Sequence, residues 1–364
     1  MDKKFWNNKK VLITGDTGFK GSWLALALST AGAKIQGLSS SVYNSNEAFY
    51  NHLQIQEISE TADVDIRDLN AVMGVFQHFN PEIVFHLAAQ PLVKESYTDP
   101  VTTFNVNISG TLNVLEAIRM SDSVQTAIFI TTDKCYENNE WPWGYREIDR
   151  MGGHDPYSSS KGCAELLIKS YQRSFFNNAS QSPGVSSVRA GNVIGGGDFS
   201  HDRLIPDIYR AIKNDTKVLL RSPNATRPWQ HVLEPLSGYI KVAEELWKSG
   251  PEGSSSWNFG PHLTDIRSVQ EVSELFCQFW GCSNVIEYDD ASLQVHEAAS
   301  LSLDISKAFF ELKWTPSWDL NESVKRTSDW YQHFLNNGDC LELCHLQVDE
   351  YFKDIITPGI NQIL

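Results

Sequence analysis

Short β-branched and apolar runs alternate with longer amphipathic stretches through the first 190 residues, and this alternation limits the folds open to the chain. The pattern predicts strands over Lys10–Thr14, Lys34–Leu38, Thr61–Asp65, Ile83–Leu87, Thr126–Thr131 and Gly184–Arg189. It predicts helices between them near Gly21–Ala31, Asp68–Phe79, Val101–Arg119 and Pro156–Phe176. Strands separated by helices of this length pair in parallel through crossover connections. We therefore predict an α/β fold with a doubly wound, Rossmann-like parallel sheet.

The pattern changes after Arg189. Turn-rich segments there separate two further helical patterns: Gly195–Asp198, Arg221–Asn224 and Gly250–Ser256 alternate with helices at Glu234–Lys248 and Ser268–Trp280. We predict a Rossmann-like domain over residues 1–190 and a smaller mixed α/β substrate lobe over residues 191–335. The sequence leaves open whether the lobe lends segments back to the first domain. It also does not decide the packing or role of a carboxy-terminal tail over residues 336–364.

The composition excludes several classes of protein. With 41% hydrophobic and 11% aromatic residues, the 364-residue chain is not disordered. Asp and Glu number 45 against 30 Lys and Arg, a net charge of -15, so we expect neither a nucleic-acid nor a membrane partner. No apolar run is long enough for a signal peptide or a membrane span, which predicts a cytoplasmic protein. An anionic substrate would need a local cluster of Arg, Lys and backbone N–H groups.

The six cysteines do not form a recognisable metal or disulfide pattern. There is no Cys-x-x-Cys, and Cys340 and Cys344 beside His345 make only a single pair. We therefore predict reduced thiols in a reducing compartment and no metal site.

A glycine-rich loop opens the first predicted crossover. Gly15, Gly18 and Gly21 follow the strand that ends at Thr14 and precede a helix. Glycines let the backbone approach a pyrophosphate, and the helix amino terminus supplies N–H groups and a positive dipole. The placement predicts dinucleotide binding, with a purely structural turn as the alternative.

The second predicted strand lacks the residues that would distinguish NAD from NADP. An acidic residue about 20 positions after the loop would hold the ribose 2′-hydroxyl of NAD. The strand instead ends in Leu38 and serines, and the next acid is Glu47. No Arg follows the strand to hold a 2′-phosphate. Asp65 and Ile66, at the end of the third strand, are predicted to contact adenine, and capping of the next helix by Asp65 is the alternative.

Two short motifs carry groups suited to proton transfer. Tyr157 and Lys161 are four residues apart, and a cation beside a phenol favours the phenolate. We therefore expect a lowered pKa for Tyr157. Thr132, Asp133 and Lys134 follow the fifth strand, at the carboxyl edge where such sheets place their chemistry. A chance surface pair and a strand-end cap are the structural alternatives.

Taken together, the motifs resemble the extended short-chain dehydrogenase/reductase superfamily. The resemblance rests on four segments: Gly15–Gly21, His86–Gln90, Asn107–Thr111 and Tyr157–Lys161. Within the superfamily, later segments are similar to the CDP-glucose 4,6-dehydratase family: Arg189–Asp198, Arg227–Pro235, His296–Ala298, Leu303–Asp304 and Lys307–Ala308. Matches run from about Lys9 to Tyr331. Asp16 stands where the family usually has His, and its carboxylate would weaken pyrophosphate binding unless it points to solvent.

The resemblance implies that the first domain binds NAD. The cofactor residues it implies are Gly15, Thr17, Gly18, Phe19, Lys20, Gly21, Asp65, Ile66, Leu87, Ala88, Ala89, Tyr157 and Lys161.

The resemblance also implies a lyase that converts CDP-glucose to CDP-4-keto-6-deoxyglucose, in deoxysugar biosynthesis for surface polysaccharides such as lipopolysaccharide. Hydride leaves C4 for bound NAD, water is lost across C5–C6, and hydride returns to C6. Tyr157, activated by Lys161, would remove the 4-hydroxyl proton while Thr132 bonds the same oxygen, and Lys161 would also hold the nicotinamide ribose. Asp133 would protonate the departing 6-hydroxyl. Lys134, standing where dTDP-glucose relatives carry Glu, would be the C5 base.

The implied contacts of the nucleotide sugar are Gln90, Asn192, Arg203 and Arg227. The planar fork of Arg suits a diphosphate, and surface ion pairs are the alternative for both arginines. Trp229 and His231 are expected to pack beneath the sugar site.

Two other functions stay open. A nucleotide-sugar 4-epimerase would share the loop, Tyr157 and Lys161, but would have no use for an acid and a base at C5–C6. A non-catalytic dinucleotide sensor would share only the fold. The resemblance further implies a homodimer formed through Val101–Arg119 and Pro156–Phe176. No residue read alone selects the nucleotide base, and dimer and tetramer are not distinguished.

Overall fold

A seven-stranded parallel sheet forms the centre of the described structure. The computed structural model describes residues 1–40, 49–177, 182–220, 222–288 and 300–354. Its strands are β1 (Lys10–Thr14), β2 (Lys34–Ser39), β3 (Ser59–Asp63), β4 (Ile83–His86), β5 (Thr126–Ile130), β6 (Gly184–Ala190), β7 (Val193–Ile194), β8 (Val218–Leu220), β9 (Thr226–Arg227), β10 (Gln230–His231), β11 (Ser256–Phe259), β12 (Arg267–Ser268) and β13 (Ile286–Tyr288). The sheet order is β11-β6-β5-β4-β1-β2-β3, with every neighbouring pair parallel. The predicted doubly wound α/β fold is confirmed.

Helices connect these strands and build the lobe at the carboxyl ends of the sheet. They are α1 (Lys3–Trp6), α2 (Phe19–Thr30), α3 (Phe49–His52), α4 (Ile55–Ile58), α5 (Leu69–Phe79), α6 (Val93–Thr98), α7 (Pro100–Phe104), α8 (Thr111–Arg119), α9 (Pro156–Ser174), α10 (Leu204–Lys213), α11 (Leu233–Ser249), α12 (Val269–Trp280), α13 (Ser306–Leu312), α14 (Leu320–Leu335) and α15 (Cys340–Asp354). In the described ranges, none of them combines the length and hydrophobicity needed to cross a lipid bilayer.

The sheet separates two hydrophobic cores. Val11 and Ile13 of β1 pack on one side, and Leu12, between them, packs on the other. This alternation follows from the two-residue period of a strand. Because both faces are covered, the central strands β1, β4, β5 and β6 are almost entirely buried, whereas most of the edge strand β3 is exposed or half-buried.

The predicted strand bounds are close to the observed ones, with the largest shift in β3. The sequence predicts Thr61–Asp65, whereas Ser59–Asp63 pairs with Ile35–Ser39 of β2. The ladder ends where Val64 N donates to Ser39 O at 3.0 Å, so Asp65 lies in the loop beyond the strand.

The helical stretch predicted over Val101–Arg119 is present, but it is not α-helical throughout. A π-helical turn, Asn105–Gly110, separates α7 from α8. The Asn107 side chain leaves the helix to bond the backbone of Gln90, accepting from its N–H at 2.8 Å and donating to its carbonyl at 3.1 Å. These tertiary contacts, which helical periodicity does not reveal, accompany the widened turn beside the cavity.

A seventh strand, β11, was not predicted. The sequence analysis placed Gly250–Ser256 in a turn and the following residues in the lobe. Ser256–Phe259 instead pairs with Ser187–Ala190 of β6 and completes the sheet edge. Residues beyond 190 therefore return to the sheet, the option that the sequence left open. The division at residue 190 stays a prediction.

The described part of the tail forms α15, which packs against the body of the protein. Cys344, Val348 and Tyr351 are buried, and Tyr351 Oη donates to Glu234 Oε2 on α11 at 2.6 Å. His345 Nδ1 lies 3.3 Å from Thr30 Oγ1 at the end of α2. The helix thus joins the glycine-loop helix to the lobe.

Candidate active site

A cavity of about 1670 Å³ opens at the carboxyl ends of the strands, between the sheet and the lobe. All of the sequence-predicted site residues line it: Gly15, Thr17, Gly18, Phe19, Lys20, Gly21, Asp65, Ile66, Leu87, Ala88, Ala89, Gln90, Thr132, Asp133, Lys134, Tyr157, Lys161, Asn192, Arg203 and Arg227. The position is the one where doubly wound sheets bind ligands. The lobe segment His296–Ala298, used in the resemblance, lies outside the described residues.

The glycine loop forms a backbone cradle at one end of this cavity. Gly15 has φ +74°, and a Cβ there would lie 2.8 Å from Ala88 N. A Cβ on Gly21 would lie 2.1 Å from Gly15 O, so neither position accepts a side chain. Gly18 is the N-cap of α2, so no side chain caps this helix, and the first turn of α2 lines the cavity. This cradle fits the pyrophosphate of a dinucleotide.

Asp16 does not point to solvent, which corrects one expectation. Its carboxylate is buried and accepts from Ser39 Oγ at 2.8 Å and Thr61 Oγ1 at 2.6 Å. A Cβ on Gly37 would lie 1.9 Å from Asp16 Oδ2, so β2 leaves room for it. Burial raises the pKa of Asp16, and its hydrogen bonds oppose that rise. The side chain fastens the loop to β2 and β3 rather than facing a phosphate.

Asp65 is paired with a residue that the sequence analysis missed. Arg67 Nη2 donates to Asp65 Oδ2 at 2.6 Å, and Arg67 also lines the cavity. Hydrogen bonding to Arg67 lowers the pKa of Asp65. Ile66 is buried, and its side chain occupies the space that a Cβ on Gly110 would need. An Arg two residues beyond Asp65 was the available signal. Glu47 lies outside the described residues.

His86 orders the strand ends beneath the cradle. Its Nδ1 lies 2.8 Å from Thr14 Oγ1, and its Nε2 lies 3.1 Å from Thr111 Oγ1. Burial, followed by the charge of Lys161, lowers the pKa of His86 to about 3, so the imidazole is neutral. Thr14 Oγ1 also accepts from Ala88 N at 3.1 Å. These bonds fix the segment that brings Leu87, Ala88 and Ala89 to the cavity.

Gln90 lines the cavity, but its amide bonds to neighbouring loop residues. Nε2 donates to Leu92 O at 3.1 Å and to Thr103 Oγ1 at 2.8 Å. Oε1 accepts from Leu92 N at 2.5 Å. The contacts indicate that Gln90 shapes this wall.

Asp133 is buried at the start of a 3₁₀ turn, Asp133–Cys135, that follows β5. Thr132 Oγ1 donates to Asp133 Oδ1 at 3.0 Å, and Oδ2 is buried with no hydrogen-bond partner among the described residues. Burial raises the pKa of Asp133, and the charge of Lys134 opposes the rise. A carboxyl with a raised pKa retains its proton longer and suits a general acid.

Tyr157 lies on the first turn of α9 and is buried. Burial raises its pKa to about 12, while a hydrogen bond with Thr132 and the charge of Arg203 oppose the rise. The expected lowering of the pKa of Tyr157 is therefore wrong for the protein without its ligands, because desolvation of the phenolate outweighs the effects that favour it.

Lys161 lies one turn further along α9, with Nζ 3.3 Å from Ile130 O at the end of β5. Burial lowers its pKa to about 8, while Glu165 and Cys135 oppose that fall. The ammonium is held at the edge of the sheet, in the cavity wall that contains Thr132 and Tyr157.

Further cationic groups line the cavity. Arg203 Nη1 donates to Asp198 Oδ2 at 3.4 Å, and Arg227 Nη1 donates to Thr226 O at 2.8 Å. Burial, followed by repulsion from Arg203, lowers the pKa of Lys20 to about 8. With Asn192, these side chains form a local basic region in an acidic protein. Such a region suits a diphosphate.

Trp229 and His231 divide between the cavity and the core. Trp229 lines the cavity, with Nε1 donating to Arg267 O at 3.2 Å. His231 packs between Trp23 and Trp318, with ring centroids 6.0 and 4.9 Å away. His231 therefore packs beneath the site, whereas Trp229 is part of the cavity wall. Among the residues with a described position, no three His, Cys, Asp or Glu side chains form a metal-binding group.

Comparison with known proteins identifies the family. A sequence profile described as GDP-mannose 4,6 dehydratase matches residues 12–327. The CDP-glucose 4,6-dehydratase of Salmonella typhimurium is 44% identical over 362 residues, 97% of this chain and 99% of the relative. The chain belongs to the nucleotide-sugar 4,6-dehydratase family. The two descriptions differ in nucleotide and sugar and share the 4,6-dehydratase reaction, so the predicted family and enzyme class are confirmed.

Solved structures agree with a 4,6-dehydratase fold. The UDP-glucose 4-epimerase of Stenotrophomonas maltophila, solved with NAD and formylated UDP-arabinopyranose, has a TM-score of 0.79 at 22% identity, covering 91% of this chain and all (100%) of that one. The dTDP-glucose 4,6-dehydratase of Bacillus anthracis, solved with NAD, has a TM-score of 0.75 at 20% identity, covering 92% and 99%. At these identities the likeness shows the shared architecture.

Proposed function

We propose that the chain is an NAD-dependent lyase that converts CDP-glucose to CDP-4-keto-6-deoxyglucose with loss of water. One observation carries the proposal: Asp133 and Lys134 line the same cavity as Tyr157 and Lys161. Groups for elimination therefore stand in the cavity that holds the groups for oxidation at C4. The 44% identity to a CDP-glucose 4,6-dehydratase supports this choice of substrate.

At the sugar C4, Tyr157 accepts the hydroxyl proton. Thr132 hydrogen-bonds the same substrate oxygen, and the phenolate form of Tyr157 takes up the proton. Lys161 stabilises the same anion and holds the nicotinamide ribose. Bound NAD would supply the acceptor that stores the electron pair from C4 and returns it to C6.

At C5 and C6, Asp133 and Lys134 divide the elimination of water. Asp133 protonates the departing 6-hydroxyl, which its burial and raised pKa favour. Lys134, the next residue in the same 3₁₀ turn, removes the C5 proton that the 4-keto group makes acidic. An amine is a base only in its neutral form, so this step requires Lys134 to lose its proton first.

The diphosphate and the dinucleotide occupy opposite ends of the cavity. Arg203, Arg227 and Asn192 hold the substrate diphosphate on the lobe side. The cradle Gly15–Gly21 holds the cofactor pyrophosphate, and Asp65 with Ile66 contacts adenine. Lys20, in the glycine loop, lies close enough to Arg203 and Lys161 for both of their charges to lower its pKa.

The proposal is tested by incubating purified protein and NAD with CDP-glucose, UDP-glucose, dTDP-glucose and GDP-mannose in parallel. The expected result is an alkali-shifted absorbance of a 4-keto sugar, strongest with CDP-glucose. No such signal from folded, NAD-loaded protein would overturn the proposal, and a stronger signal with another nucleotide would overturn the choice of CDP.

The 4-epimerase alternative is separated by an isotope. Dehydration in deuterated water places deuterium at C5, whereas epimerisation at C4 leaves C5 unlabelled. Asp133 and Lys134 favour the first outcome, since an epimerase would have no step for them.

We also propose a cytoplasmic homodimer formed through the helical segments Val101–Arg119, which spans α7 and α8, and Pro156–Phe176, which contains α9. Leu166 and Phe175, on and just beyond α9, expose 60% and 49% of their surface, and Val101 exposes 68%. Burial of these side chains by a second copy would remove apolar surface from water. Light scattering of the purified chain tests the state, and a monomer at micromolar concentration would overturn it.

A further inference from the structure

We propose that Glu165 is a positioning residue for Lys161, and that its buried ion pair with Arg189 fixes the catalytic face of α9 against the sheet. The proposal rests on the proposed function only for the role of Lys161. The placement of Glu165 itself is independent of the substrate.

Glu165 continues the line of reacting groups along α9. Tyr157, Lys161 and Glu165 are four residues apart, so they share one face of the helix. All three are buried, and only the first two line the cavity. Glu165 therefore lies one turn beyond Lys161 on the same helix face and does not line the cavity.

Every oxygen of the Glu165 carboxylate has a donor. Arg189 Nε donates to Oε1 at 2.8 Å and Arg189 Nη2 donates to Oε2 at 2.7 Å. Ser187 Oγ donates to Oε2 at 2.7 Å, and Thr131 Oγ1 donates to Oε1. Thr131 follows β5, and Ser187 and Arg189 belong to β6. The carboxylate thus joins the helix to two strand ends.

The other side of Arg189 extends the connection toward the lobe. Its Nη1 donates to Tyr136 Oη at 2.6 Å, and the guanidinium carbon lies 5.0 Å from the centroid of that ring. Tyr136 Oη donates to Asn258 Oδ1 on β11 at 2.8 Å. Tyr136 also lines the cavity, two residues beyond Lys134.

A buried ion pair is a costly way to hold a helix in place. Removal of two charges from water costs several kcal/mol per ion, so apolar residues often serve stability equally well. The side chains of Arg189 and Glu165 are exposed by only 2% and 4%. The effect of the Glu165 charge on the pKa of Lys161 explains why a charged residue, and not an apolar one, stands at position 165.

The groups that act on Lys161 come from several elements. Glu165 on α9 and Cys135 in the 3₁₀ turn raise its pKa, against the effect of burial. Lys20 on α2 and His86 at the end of β4 both respond to the charge of Lys161. Glu165 is the carboxylate in this set, and it favours the ammonium form.

The test is a pH titration of Lys161 by NMR on protein carrying [13Cε]lysine, without substrate, with the signal assigned by Lys161→Met. In Glu165→Gln we expect the midpoint to fall by about one pH unit or more, the size of effect that a close opposite charge has. Ser187→Ala is the matched control, because it removes one neutral donor and retains the carboxylate. In Ser187→Ala the Lys161 midpoint should stay at that of the parent protein. In Glu165→Asp, which keeps the carboxylate, the midpoint should lie closer to that of the parent than to that of Glu165→Gln.

An unchanged midpoint in folded Glu165→Gln would overturn the proposal, as would an equal shift in Ser187→Ala. If Glu165→Gln does not fold, Glu165→Gln with Arg189→Gln removes both charges and leaves no unpaired ion. The same fall in midpoint is expected there, and no fall would overturn the proposal. Since the readout needs no turnover, failure of the proposed reaction would leave this result intact.

Discussion

Thr132 Oγ1 donates to one oxygen of Asp133 at 3.0 Å, and the other oxygen of Asp133 is buried with no hydrogen-bond partner among the described residues. A buried oxygen that accepts no hydrogen bond costs free energy unless a ligand donates one to it. Its place in the cavity wall makes the sugar 6-hydroxyl a fitting partner. This geometry leads to the first prediction.

Asp133→Asn should lower the rate of water elimination by about 10²–10⁴-fold, because the amide cannot protonate the leaving hydroxyl. Oxidation at C4 should continue, so reduced NAD should accumulate during a single turnover and be visible by its absorbance. Asp202→Asn, which removes a largely exposed carboxylate that lines the same cavity and is paired with Lys94, is the control and should retain the parent rate. Equal effects of the two substitutions would contradict the role of Asp133.

Tyr157→Phe should lower turnover by at least about 100-fold, because no group then accepts the 4-hydroxyl proton. Binding of CDP-glucose and NAD, measured by calorimetry, should change little. Tyr288→Phe, at an exposed tyrosine on β13, should leave both properties unchanged. Loss of binding together with turnover would indicate that Tyr157 is needed for the shape of the site.

Gly21→Ala should weaken NAD binding by at least about tenfold, or about 1.4 kcal/mol. The new Cβ would meet Gly15 O at 2.1 Å and would force the cradle open. Gly74→Ala is the matched control, since a Cβ there meets nothing within 4 Å and Gly74 lies inside α5. It should raise the free energy of unfolding by about 0.4–1 kcal/mol. Equal NAD affinity in both variants would contradict the cradle.

Glu234 should make the stability of the protein depend on pH. Burial raises its pKa to about 7, although Tyr351, Ser317 N and Trp318 N donate hydrogen bonds to the carboxylate. An unfolded Glu titrates near about 4.3, so the folded state holds the proton over a range where the unfolded chain releases it. The free energy of unfolding should therefore fall as pH rises from about 4.3 to about 7.

The size of this fall is on the order of 4 kcal/mol, at about 1.4 kcal/mol for each pKa unit. Glu234→Gln should remove most of the slope, and Glu245→Gln, an exposed residue on the same helix, should keep it. Denaturant unfolding at about pH 4 and about pH 8, values that bracket the expected change, gives the comparison. The same slope in Glu234→Gln as in the parent would contradict the assignment.

Local pattern was enough to predict most of the sheet, and together with the resemblance it predicted residues that line one cavity. The spacing of Tyr157 and Lys161 placed both groups on one helix face, and the strand before Asp133 placed that residue at the correct edge. Such predictions succeed because strand and helix periods act over a few residues. The role of each side chain in the reaction stays a prediction.

Effects that depend on distant residues could not be predicted. Burial, which raises the pKa of Tyr157, comes from the whole fold and not from the spacing of neighbouring residues. Asp16 finds Ser39 and Thr61 only after β2 and β3 have paired. The π-helical turn at Asn105–Gly110 depends on the bond from Asn107 to Gln90.

Strand β11 has a consequence for synthesis of the chain. Asn258 can accept from Tyr136 only after the ribosome has made more than a hundred residues beyond that tyrosine. The growing polypeptide must therefore hold β6 as an unpaired edge while the lobe emerges, and exposed edges of this kind promote wrong association. Chaperone demand during translation should be greatest in this interval and should end when the last strand of the sheet docks.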